Sequence, residues 1–142
     1  MNKRLRLACI CSAFSLSLAA CGAGGDDNAA CDSFVESAAP VFGEINDFAR
    51  NWREREGSRA GMEAALEAGE SLFVISQAAS ASAELASRAG KKKFEVLAET
   101  SGDAAKAVPI RGGSMGDYES SLMIQFGDDI SAINDFCEPF EK

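Results

Sequence analysis
The chain of 142 residues has no histidine. The commonest general base and the commonest metal ligand are therefore missing. A di-iron centre of the bundle type, built on inward Glu-x-x-His pairs, is excluded. No run of 18 apolar residues occurs, so no segment reads as a membrane-spanning helix. Bases are few: 14 Lys and Arg stand against 22 Asp and Glu, a formal net charge of −8. An acidic chain is a poor candidate for nucleic-acid binding. No phosphate loop is present, because Arg111-Gly112-Gly113-Ser114 lacks the spaced glycine and the lysine. Asp26, Asp27 and Asn28 lack the alternating ligands, central glycine and final glutamate of a calcium loop. Asp128 and Asp129 are adjacent, and adjacent residues on a helix do not face each other. Glu63, Glu67 and Glu70 share a face that reads as a solvated stripe. These absences lead us to expect a non-enzymatic protein with no cofactor and no metal.

What is present starts at the N-terminus. Met1 to Arg6 carries Lys3, Arg4 and Arg6 and no acid, and Leu7 to Leu18 are all apolar or small. This is the pattern of an export signal, and its apolar part is too short to span a bilayer. An ordinary cleaved signal prefers small side chains at −3 and −1, whereas here Leu18 would stand at −3. Leu18-Ala19-Ala20-Cys21 instead resembles the lipobox of bacterial lipoproteins. The resemblance implies cleavage before Cys21, a diacylglyceryl group on its thiol, and often an acyl group on its amine. Two or three acyl chains hold a protein firmly, at about 0.8 kcal/mol per buried CH₂. The expected location is the bacterial cell envelope, facing the periplasm or the exterior. Gly22 after the cysteine resembles the outer-membrane delivery signal, where the host has two membranes.

Five cysteines are present. Cys9 and Cys11 leave with the signal and Cys21 takes the lipid, so Cys31 and Cys137 remain. An even pair in an exported protein argues for one disulfide; two buried thiols are the alternative. The signal holds three of the 14 bases and none of the 22 acids, so the rest of the chain carries 11 bases against 22 acids. Residues 22–30 are small, Gly-rich and acidic. They read as a flexible tether with a reach of about 30 Å. The expected organisation is a signal peptide over 1–20, a lipidated cysteine and tether over 21–30, and one domain over 31–142.

Within that domain the apolar spacing is helical. Cys31, Phe34, Val35, Ala38, Val41, Phe42, Ile45, Phe48, Ala49 and Trp52 form one stripe, capped by Asp32 or Ser33, kinked near Pro40 and ended by Gly57. A second helix runs from Ser58 to Gly90, with Met62, Ala65, Leu66, Leu72, Phe73, Ile75, Ala79, Ala83 and Ala86 inward. Its Ala/Ser-rich part, Ser76 to Ala89, reads as a thin helix packed close to its neighbours, or as a shallow groove for an apolar ligand. A third helix spans Lys91 to Val108, and Pro109 to Gly113 form a turn. Ser114 and Asp117 resemble a capping box. A fourth helix places Met115, Tyr118, Leu122, Phe126, Ile130, Ile133 and Cys137 inward.

Short connections favour an all-α, up-down-up-down four-helix bundle. That topology puts Cys31 and Cys137 at one end, next to the tether and the membrane. Arg88, Lys91, Lys92 and Lys93 fall at the same end, as charges favouring the second helix's C-terminus or as contacts to anionic head groups. The distal end gathers Arg50, Trp52, Arg53, Arg55, Arg59 and Arg111. Arg and Trp are enriched at binding hot spots; the plainer reading has Trp52 closing the core and the arginines pairing with Glu54 and Glu56. The function expected is a membrane-anchored binding or interaction module whose partner meets Arg50, Trp52, Arg53 and Arg111. The alternatives are a carrier of a small apolar ligand along the second helix and a structural envelope protein.

Overall fold
The computed structural model describes residues 25–111 and 114–140. The expected signal peptide, Cys21 and the expected tether up to residue 24 lie outside the described residues. Among the described residues the regular structure is helical: α1 (Asp27–Ala38), α2 (Phe42–Arg55), α3 (Arg59–Leu85), α4 (Arg88–Ile110) and α5 (Asp117–Cys137). α1 and α2 form one bent arm, so the molecule is a four-armed all-α bundle. The bend falls at Pro40, as expected. Proline lacks an N–H and clashes with the preceding turn, so Ala39–Val41 tighten into a 3₁₀ turn before the helix restarts.

Helix ends correct several expectations. α1 starts at Asp27, inside the segment read as tether, because Asp26 caps it. The Asp26 carboxylate accepts the Ala29 N–H at 3.0 Å, as N-cap residues do. The Asp26 N–H donates to the Leu85 carbonyl at 2.8 Å, and the Asp27 carboxylate accepts the Ser87 N–H at 2.7 Å. The start of α1 is thus tied to the α3–α4 junction. Ser58 caps α3 as expected, accepting the Gly61 N–H at 3.0 Å, and Gly57 takes the left-handed turn before it at φ +70°. α3 stops at Leu85 rather than Gly90, since Ala86 is extended and Ser87 caps α4. α4 continues through Pro109 to Ile110, where a turn was expected. α5 begins at Gly116, not at a Ser114–Asp117 box. Glu119 accepts the Gly116 N–H at 3.0 Å, half of a capping box, since glycine has no side-chain oxygen to return the bond.

The core runs along the bundle through Phe34, Phe48, Leu72, Phe94, Leu97 and Ile133. Phe34 and Phe94 pack at a tilt of 54° with ring centroids 5.6 Å apart, and Phe136 meets Phe94 edge-on at 6.2 Å. Cys31 and Cys137 are buried and disulfide-bonded, with Cα atoms 5.6 Å apart. The up-down-up-down order brings them together at one end. Six residues of the expected apolar stripes are instead exposed: Val35, Ala49, Met62, Leu66, Phe73 and Tyr118. α3 packs on α1, α2 and α4 mainly through small side chains, among them Ala65, Ala68, Ala78, Ala79, Ser82 and Ala83. The Ser76 hydroxyl donates across to the Ala98 carbonyl at 2.7 Å. The Ala/Ser run is therefore consumed by close packing of α3 on α4.

Candidate functional site
The fourth side of the bundle stays open. α5 rests on α4, while α2 and α5 stand apart; the first arm meets α5 only through α1, at the disulfide end. A groove runs between them. Its middle is a cavity of about 440 Å³, walled by Phe42, Ile45 and Ala49 on α2 and by Met123, Phe126 and Ile130 on α5. A second cavity of about 300 Å³ continues it to the distal end, between Trp52 and Arg53 on one side and Met115, Ser120 and Ile124 on the other. Ala49 and Met123 line both. An apolar trough with a few polar groups at its mouth is the usual form of a binding site.

The distal arginines divide into two sets. Arg55 pairs with Asp47 at 2.9 Å, Arg59 with Glu63 at 2.9 Å, and Arg111 with Glu119 at 3.3 Å. Their partners are not the expected Glu54 and Glu56: Asp47 and Glu63 lie one or two turns away along the arginine's own helix, and Glu119 lies on α5. Arg50 and Arg53 have no carboxylate partner among the described residues. The Arg53 guanidinium lies over the half-buried Trp52 ring, 5.3 Å from its centroid, within cation–π range. Trp52 and Arg53 therefore sit together at the mouth of the groove. Arg111 is not free to join them, being held at the start of α5 by Glu119.

At the opposite end, Arg88, Lys91, Lys92 and Lys93 occupy the first turns of α4. They were expected to favour the C-terminus of the preceding helix. Because α3 ends early, Arg88 joins the three lysines in the first turns of α4, at a helix N-terminus, where cations are disfavoured. Lys91 is engaged with Glu84 at 3.6 Å and Glu95 at 4.0 Å. Arg88, Lys92 and Lys93 make no ion pair among the described residues, where no group of three metal-ligating side chains converges either. No helix described is long and apolar enough to cross a membrane.

The groove itself was not foreseen. Its walls were legible as the apolar stripes of the first and last helices, but its width depends on how far α5 leans toward α4. Comparison with known proteins gives no match to a family model, to a curated protein or to a solved structure.

Proposed function
We propose that this protein is a lipid-anchored, extracytoplasmic binding module without catalytic activity. Cys21 is the anchor, and the α2–α5 groove receives a protein partner at the end away from the membrane. The observation that carries this reading is the unpaired Arg53 over Trp52 at the mouth of an apolar trough. In a chain so rich in acid, an unpaired arginine beside apolar surface matches a partner presenting an apolar side chain flanked by a carboxylate. Lys92 and Lys93, at the membrane-proximal end, meet anionic head groups, worth about 1 kcal/mol per base near the surface. A small apolar ligand is the second reading, and it too belongs in the α2–α5 groove.

Two measurements test the proposal. A photo-crosslinker at exposed Ile124 should capture a discrete partner in intact cells, and Arg53→Glu should reduce that capture at least tenfold. Equal capture by the variant rejects the groove as the binding surface. The intact mass of protein taken from membranes should show an N-terminus at Cys21 carrying acyl mass. Cleavage elsewhere, or no acyl mass, rejects the anchor.

A further inference from the structure
A third cavity, of about 430 Å³, lies between the start of α4 and the last turns of α5. Arg88, Lys92 and Lys93 line it from α4, with Val96 as an apolar wall, and Asp129 lines it from α5. Asp129 is only 9 % exposed. Its Oδ1 accepts from the Gln125 amide at 3.0 Å, but its Oδ2 is buried with no hydrogen-bond partner. A buried carboxylate oxygen without a donor is costly. None of the three cations around the same cavity pairs with it. Those cations are themselves uncompensated and sit at the positive end of a helix dipole, a place suited to anions.

The two deficits are complementary. Three cations against one carboxylate call for an occupant with net negative charge, and the buried, unpartnered Oδ2 calls for a donor. We propose that the cavity binds a phosphate ester bearing a hydroxyl, with Arg88, Lys92 and Lys93 on the phosphate and Asp129 accepting from the hydroxyl. Such a group is either a polyol head group of a membrane phospholipid or a soluble polyol phosphate. This deepens the membrane-proximal reading above and depends on it only for the source of the ligand. The cavity is near the anchor in either case. Asp27 touches Ser87 beside Arg88, and the five residue steps from Cys21 to Asp26 span at most about 18 Å.

The test uses the chain with Cys21→Ser, which carries no lipid. Probes are glycerol 3-phosphate, inorganic phosphate, and vesicles of phosphatidylglycerol or phosphatidylcholine. Glycerol 3-phosphate should shift the amides of residues 88–96 and 129–132 saturably. It should bind at least tenfold better than inorganic phosphate, a comparison that needs no variant. The exposed pair Lys92→Gln and Lys93→Gln should weaken it at least tenfold. Asp129→Asn should weaken it about tenfold, the effect of losing one hydrogen bond to a charged group, and leave inorganic phosphate unchanged or tighter. Saturable binding of the soluble ester alone assigns a soluble source. Flotation with phosphatidylglycerol vesicles that Asp129→Asn abolishes assigns a lipid source. Absence of both, equal affinity for the two phosphates, or vesicle binding indifferent to Asp129→Asn overturns the proposal. None of these results bears on capture at the distal groove.

Discussion
Glu119 shows how one side chain fixes a helix start. Its carboxylate is nearly buried, accepts the Gly116 N–H and meets Arg111. Its own backbone N–H does most to hold its pKa below the ordinary carboxylate value, and the Gly116 N–H and Arg111 add to this against the opposing effect of burial. A carboxylate with a depressed folded-state pKa contributes stability above its unfolded pKa and loses it as pH falls through the folded value. The wild type should therefore lose more stability than Glu119→Gln on acidification from about pH 7 to about pH 3, below the usual carboxylate range. Urea midpoints across that range measure it. Parallel curves for the two proteins would show that Glu119 is not the group concerned. The sequence pattern pointed to a cap two residues earlier, at Ser114 and Asp117. Glu119 wins because its carboxylate reaches both the Gly116 N–H and Arg111.

At the scale of elements, α3 governs the packing. It is the helix shared by α1, α2 and α4, and a helix with neighbours on several sides needs small side chains to bring the axes close. Gly69 is a tight case where α3 meets α4: a Cβ there would run into the Pro109 ring and crowd the Ala105 carbonyl. Gly69→Ala should cost about 1–3 kcal/mol, since neither neighbour yields easily. Gly127 on α5 has open space where a Cβ would go, so Gly127→Ala should stabilise by about 0.5–1 kcal/mol through helix propensity. Thermal unfolding of both variants should move in opposite directions, and a shift in the same direction would reject this account. The same packing explains which helical residues were misread. Met62, Leu66 and Phe73 fit a helical period and are large, so size placed them inward. The interior of α3 selects for smallness, which turns those three to the one face without a neighbouring helix. Helix existence and order were legible because apolar period and proline position are local signals. The end of α3 was not, because the Ala/Ser run stays compatible with a helix as far as Gly90, and the contact that marks the break is long-range, between Ser87 and Asp27 sixty residues away. That break moved Arg88 from the end of one helix to the start of the next, beside Lys91, Lys92 and Lys93, and with it the electrostatics of that end of the bundle.

For the whole molecule, the Cys31–Cys137 bond has more to hold than in a closed bundle. The position of these two cysteines followed from counting and topology, but the open side did not. Where α2 and α5 stand apart, packing across the fourth side is nearly absent, and the first arm is joined to α5 mainly at its proximal end by this bond and the Glu138–Phe140 turn. The bond closes a sequence separation of 106 residues, which in the chain-entropy model is worth about 4–5 kcal/mol. Native domains of this kind are stable by about 5–15 kcal/mol in total, so the bond is a large share. Cys31→Ser with Cys137→Ser should lower the urea midpoint accordingly. Amide exchange should accelerate first in α5, while the α3–α4 pair, joined by close packing along its length, keeps its protection. Groove width rests on the same bond, so capture of a partner at Ile124 should fall in the double variant under conditions where helicity is still intact. Equal loss of protection in α3 and α5 would mean that α5 is held by its contact with α4 alone. The disulfide would then not set the spacing of the groove.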